Sequence, residues 1–205
     1  MKPVLVPLAA LAVLGGCSEP NTSGNAAAPA ETAAPQQGPA ESAARSAAPL
    51  ATFALAVEGE GLRLFNRATG SARPLPFGTA RTEVMTALAF RGAPGLAHLE
   101  ECGAGPLDQA AWPDGLALYF QDGKFAGWAL DARGNDGTNP PAITTAAGIG
   151  PGSTRAELES AYAIEVMRST LGTEFTAGGL AGLLDGTGAR ARITHLWAGA
   201  SCAMR

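Results

Sequence analysis

Few side chains in this chain are of the types that do chemistry. It holds two histidines and three cysteines among its 205 residues. Neither His98 nor His195 has a histidine, cysteine or carboxylate at metal-ligand spacing, so both read as structural or solvated. No G-x-S-x-G elbow for ester hydrolysis is present, nor an S-x-x-K pair for penicillin-recognising chemistry. A Ser–His–Asp set assembled from distant positions stays open, but no local motif points to one. Glu100, Glu101, Asp108 and Asp114 flank Cys102 without EF-hand spacing and read as a solvated acidic loop. The run Gly148-Ile149-Gly150-Pro151-Gly152-Ser153-Thr154 precedes a helical pattern, as an anion site requires. It lacks a P-loop lysine, and Pro151 removes one N–H, so it reads as a turn feeding a helix cap. No catalytic residue, metal or cofactor is expected.

The third cysteine carries a different chemistry. Lys2 is followed by an apolar run from Val4 to Leu14, too short to span a bilayer and suited to a cleaved signal. Leu14-Gly15-Gly16-Cys17 closes it. This resembles the bacterial lipobox, an aliphatic residue and two small residues before cysteine. The resemblance implies a signal peptide over residues 1–16, diacylation of the Cys17 thiol, and cleavage before Cys17. Two or three acyl chains hold a protein stably on a membrane where one does not. Ser18 rather than Asp follows the cysteine, which by the family's sorting rule favours the periplasmic face of the outer membrane over the inner.

Loss of residues 1–16 removes Lys2 and no acid, so the net charge of −4 becomes −5. Such a balance, with scattered Lys and Arg, offers nothing to nucleic acid or anionic headgroups. Membrane attachment therefore falls to the acyl chains on Cys17. Residues 18–49 contain no Val, Ile, Leu, Met or aromatic residue and are interrupted by proline. They cannot offset their ordering entropy by burial, and residues 17–49 are expected to form a disordered lipidated tether. Residues 50–205 remain for one compact domain. Cys102 and Cys202 are the two cysteines left in an exported chain and most simply pair. The alternatives are two buried thiols or a redox pair, and CxxC spacing is absent.

The elements that would position these residues repeat. Gly78-Thr79-Ala80-Arg81-Thr82-Glu83-Val84 aligns without a gap on Gly152-Ser153-Thr154-Arg155-Ala156-Glu157-Leu158. Each reads as a glycine turn, a hydroxyl cap and a short amphipathic helix, and Thr154 and Glu157 have capping-box spacing. A strand–turn–strand pattern follows each helix. Leu116 to Phe120 passes Asp122-Gly123 into Lys124 to Leu130, and Leu180 to Leu184 passes Asp185-Gly186 into Ala191 to Ala198. An extra hairpin is expected around Glu58-Gly59-Glu60. The resulting expectation is an α+β domain of two tandem helix-plus-antiparallel-hairpin repeats, about residues 74–135 and 145–203. This organisation resembles the beta-lactamase inhibitory proteins and the SmpA/OmlA-type outer-membrane assembly lipoproteins, over roughly residues 74–202. Residues 170–179 match neither family.

What the resemblance implies is a binding scaffold in the cell envelope, with direct inhibition of a secreted enzyme as one form of it. The expected function is a non-catalytic, lipid-anchored module that binds another envelope protein. Trp112, Trp128 and Trp197 are the candidate interaction anchors, against a competing role in the core. The alternative is a small-ligand binder or lipid-anchored hydrolase, with a site between the repeats near His195 and residues 172–179.

Overall fold

The computed structural model describes residues 52–132 and 143–202. The lipobox, Cys17 and the tether lie outside the described residues. Among the described residues, eleven strands and two short α-helices form a mostly β domain with two antiparallel sheets. Strands β1 (Phe53–Glu58), β2 (Gly61–Asn66) and β3 (Ala72–Pro76) make a three-stranded sheet. The larger sheet has eight strands: β4 (Gly95–Leu99), β5 (Leu107–Ala111), β6 (Leu116–Gln121), β7 (Lys124–Asp131), β8 (Glu165–Ser169), β9 (Gly172–Ala177), β10 (Leu180–Leu184) and β11 (Ile193–Gly199). Their order is β4-β5-β6-β7-β11-β10-β9-β8. Helices α1 (Arg81–Ala87) and α2 (Arg155–Ala161) have seven residues each.

The α+β expectation is overturned. Each helix is followed in the chain by four strands, not by one hairpin, and a separate three-stranded sheet precedes them. The physical reason lies in the edges. All five residues of β8 are exposed and four of five in β4, so neither shows apolar alternation. In β9 three consecutive residues, Thr173 to Phe175, are buried, which also erases the period-two signal. Residues 172–177 form strand β9, and His98 sits on strand β4.

The three expected hairpins form as β1–β2, β6–β7 and β10–β11. Asp122 and Gly123 turn β6 into β7 with φ of 50° and 71°, the left-handed pair that suits a two-residue hairpin. One face of the eight-stranded sheet is covered. Leu118, Phe120 and Phe125, Trp128 and Leu196 join Val84 and Leu88 of α1, Leu158 of α2, and Leu62, Leu64 and Leu75 of the small sheet in one core. The Trp128 indole N–H donates to the Glu58 carbonyl at 2.9 Å, and the Val57 N–H to the Thr144 carbonyl at 3.0 Å. These bonds tie the small sheet to the rest of the core.

The two helix starts differ. Thr154 accepts from the Glu157 N–H at 3.3 Å, and the Glu157 carboxylate accepts from the Thr154 N–H at 2.7 Å, completing the capping box. Helix α1 starts at Ala80 with no side-chain cap. The Thr154 bonds hold the Glu157 carboxyl below its ordinary range. Thr154→Ala is expected to lower stability by about 1 kcal/mol. A urea titration checks it, and an unchanged midpoint would mean that strand packing alone holds α2 in place.

Candidate functional site

The second face of the eight-stranded sheet carries the candidate site. Strand alternation sends one set of side chains into the core and the other set to this face. Its register is unusual in composition. Gly95, Ala111, Ala117 and Ala129 stand opposite one another on β4, β5, β6 and β7, and the row ends at Trp197 on β11. Small side chains on neighbouring strands leave a trench floor. Tyr119 and Gln109, themselves directly opposed, flank it on one side. Asp131 and His195, also directly opposed, flank it on the other. Trp197 closes one end. The cavity measures about 510 Å³, and Leu171 and Leu183 also line it.

The disulfide frames the end of this face. Cys102 and Cys202 are bonded, with Cα atoms 5.1 Å apart. The loop over residues 100–106 leaves β4, and the bridge carries it to the chain end beyond β11. The Gln121 amide N–H donates to the Ala104 carbonyl at 3.1 Å, and the Ala200 N–H donates to the Ala126 carbonyl at 2.9 Å. A Cβ on Gly127 would lie 2.0 Å from the Ala200 oxygen, so glycine is required where the chain end crosses the sheet. Ser201 and Cys202 thereby reach the trench wall.

The three tryptophans separate. Trp128 is fully buried in the core. Trp112 is also buried, its indole N–H donating to the Gly92 carbonyl at 3.1 Å and the Arg91 guanidinium 5.6 Å from its ring centre. Trp197 alone is half-buried on the open face. Tyr119, Gln109, Asp131 and the alanine row carry no sequence motif. The one signal for them is small residues alternating with large ones, in Leu-Ala-Leu-Tyr of β6 and Trp-Ala-Leu of β7.

His195, Asp131 and Ser201 all line the trench, and the His195 Nδ1 lies 3.1 Å from the hydroxyl of neighbouring Thr194. Among the described residues no group of three metal-ligating side chains forms. No helix of the described residues is long and apolar enough to cross a membrane. A wider hollow of about 640 Å³ between the small sheet and α1 is lined by Phe53, Leu64 and Ala72 together with polar side chains such as Ser71, Thr82 and Thr86. The Arg73–Glu83 ion pair of 2.7 Å also lies in its wall. It is a surface dimple.

One charge cluster lies on the other face, at the β4 edge. The Asp108 carboxylate meets the His98 Nδ1 at 2.7 Å and the Arg81 guanidinium at 2.8 Å, while Glu100 lies 3.4 Å from the His98 Nε2. The bond to Asp108 raises the His98 pKa above its ordinary 6.5, aided by Glu100. The same bond, with Arg81, lowers that of Asp108 below 3.8. The raised histidine stabilises the fold fully below pH 6.5, and its contribution fades as pH rises through the folded value. The lowered aspartate stabilises above pH 3.8, and its contribution fades as pH falls through the folded value. Asp108→Asn is therefore expected to cost more stability at pH 5 than at pH 8, and to return the His98 titration to its ordinary position. NMR titration of His98 and urea unfolding at both values check this, and equal losses would refute the coupling. The groups are exposed, so the effect is small and weakened by salt.

Comparison with protein-family models, with curated proteins and with solved structures found no match.

Proposed function

We propose that this chain is a lipid-anchored protein of the bacterial envelope, and that its β domain recognises another envelope protein without catalysing a reaction. The observation that carries the reading is the open trench, with alanine floor, Trp197 end wall and Tyr119 flank. A large half-buried aromatic beside small apolar residues is the arrangement of interaction hot spots. The sequence Leu14-Gly15-Gly16-Cys17 supports acyl anchoring on Cys17, and its resemblance to lipoprotein signals supports an envelope location. The resemblance to the inhibitory and assembly lipoproteins supports a binding role in the same place.

Recovery of the tagged chain from cross-linked, detergent-solubilised envelopes tests the reading. A stoichiometric partner is expected with the native chain, reduced about tenfold or more in Trp197→Ala, the cost of losing one hot-spot tryptophan. Cys17→Ala should abolish acyl labelling. A partner retained equally by Trp197→Ala would remove the trench from the reading, and acyl labelling that survives Cys17→Ala would remove the anchor.

A small-ligand reading has one observation in its favour. The trench volume of about 510 Å³ falls in the range of small-molecule sites, roughly 300–1,000 Å³. A metabolite that protects the trench amides from exchange, in a chain that yields no partner, would favour it.

A further inference from the structure

Among the described residues five large apolar side chains are exposed, and three of them belong to the region where the chain enters the domain. The ring centre of Phe53, at the start of β1, lies 5.7 Å from that of Phe90. These rings are 38% and 40% exposed, and Leu96 is 65% exposed. Phe90 and Leu96 belong to one apolar run, Ala89-Phe90-Arg91-Gly92-Ala93-Pro94-Gly95-Leu96-Ala97. Every residue of the run except Arg91 and Pro94 is exposed. Arg91 is the single charge in it and is turned inward. Its guanidinium pairs with Asp114 and lies over the Trp112 ring. Leu96 stands opposite Ala110, whose side chain is in the core. It therefore lies on the side of the large sheet that carries α1, which leads into Phe90, and the small sheet, which carries Phe53.

Exposed apolar surface of this kind marks a protein or membrane contact. Its place in the chain selects between them. Thr52, next to Phe53, follows Cys17 by 35 residues. The composition of the residues between them predicts a coil, and a coil of that length has a root-mean-square span of roughly 30 Å. A domain tethered so closely meets its own bilayer at a high effective concentration. We propose that residues 89–97, with Phe53, seat the domain on the lipid surface that the acyl chains of Cys17 occupy. This rests on the reading of Cys17 as the lipid anchor. Phe53, Phe90 and Leu96 enter the boundary between headgroups and acyl chains, as the apolar residues of interfacial segments do. The run holds no lysine and no arginine besides the paired Arg91, so anionic headgroups contribute little. Seating through the helix-covered side leaves the trench face open to a partner.

The test places the acylated chain in phosphatidylcholine nanodiscs that carry a nitroxide lipid and follows its amides by NMR. The signals of Phe53, Phe90 and Leu96 are expected to lose about half their intensity or more, while those of β9 and β10 keep theirs. The oxidised full chain carrying Cys17→Ala should still partition weakly onto phosphatidylcholine vesicles. Phe53→Ser, Phe90→Ser and Leu96→Ser together should weaken that partition about tenfold or more, with the unfolding midpoint as a control for folding. Raising the salt should change it by less than about twofold, because no charge drives it. Signal loss spread evenly over the domain, or confined to the trench, would overturn the seating and leave the anchor standing. Self-association of the lipid-free chain through the same three residues would give the patch to a second copy and overturn the seating. Partition of the Cys17→Ala chain, with no acyl label on native Cys17, would overturn the anchor and keep the patch as a lipid contact. Absence of both partition and label would overturn both.

Discussion

Trp128→Ala is expected to destabilise the domain by about 3–5 kcal/mol, the range for removing a fully buried tryptophan. Its side chain is wholly shielded from solvent on β7 and shares one core with residues of both helices and both sheets. The indole N–H also satisfies the Glu58 carbonyl at the end of β1. Alanine would open a cavity between the two sheets and leave that carbonyl without this donor. A domain of this size is stable by roughly 5–15 kcal/mol, so the loss is a large fraction of the whole. The melting temperature should fall by about 10 °C or more. Trp128→Phe separates the two contributions. It keeps most of the packing and loses the hydrogen bond, for an expected cost of about 1–3 kcal/mol. Circular dichroism melts of the three proteins check both figures. A Trp128→Ala protein that melts within a few degrees of the native chain would show that the small sheet is not held through this residue.

Loss of the Cys102–Cys202 bridge is the second large effect. The bridge closes a loop with a sequence separation of 100 residues. In the chain-entropy model such a loop is worth about 4.7 kcal/mol, and native bridges removed from small domains cost about 2–5 kcal/mol. The double change Cys102→Ser with Cys202→Ser avoids leaving a reactive thiol. It is expected to lower the unfolding free energy read from urea titration by an amount in this range, with a lower midpoint, and to steepen the transition, because the released unfolded chain exposes more surface. A local effect should accompany it. Residues 100–106 and residues 200–202 are held over the sheet partly by the bridge, so their amides should exchange faster than those of β6 and β7. Coincident unfolding curves for the bridged and unbridged chains would show that the bridge holds the trench wall without contributing to global stability.

The local chemistry of the fold was legible where short-range physics decides it. Asp122-Gly123 announced its hairpin because few residue pairs accept two left-handed conformations. Thr154 and Glu157 announced a helix start because the capping box is closed by side chains three residues apart. The same reading failed at β4, β8 and β9. An edge strand exposed on nearly all sides needs no alternation, and Thr173-Glu174-Phe175 is buried throughout because Glu174 is held by Ser169. The short helix signals are strong where these strands are silent, which is why the sequence reads as α+β.

The site divides along the same line. Sequence alone determined that Cys102 and Cys202 were the pair available for a bridge, that Asp122 and Gly123 turn the chain, and that catalytic motifs are missing. Each follows from residue identity or from contacts a few positions apart. Only the tertiary structure decided that Trp128 and Trp112 face inward and Trp197 outward. Likewise it set Ala111, Ala117 and Ala129 side by side as a floor, with Asp131 opposite His195. The three alanines lie on three strands, and their alignment depends on register across the sheet. Register is set by the packing of the whole buried face, which no local stretch of sequence contains.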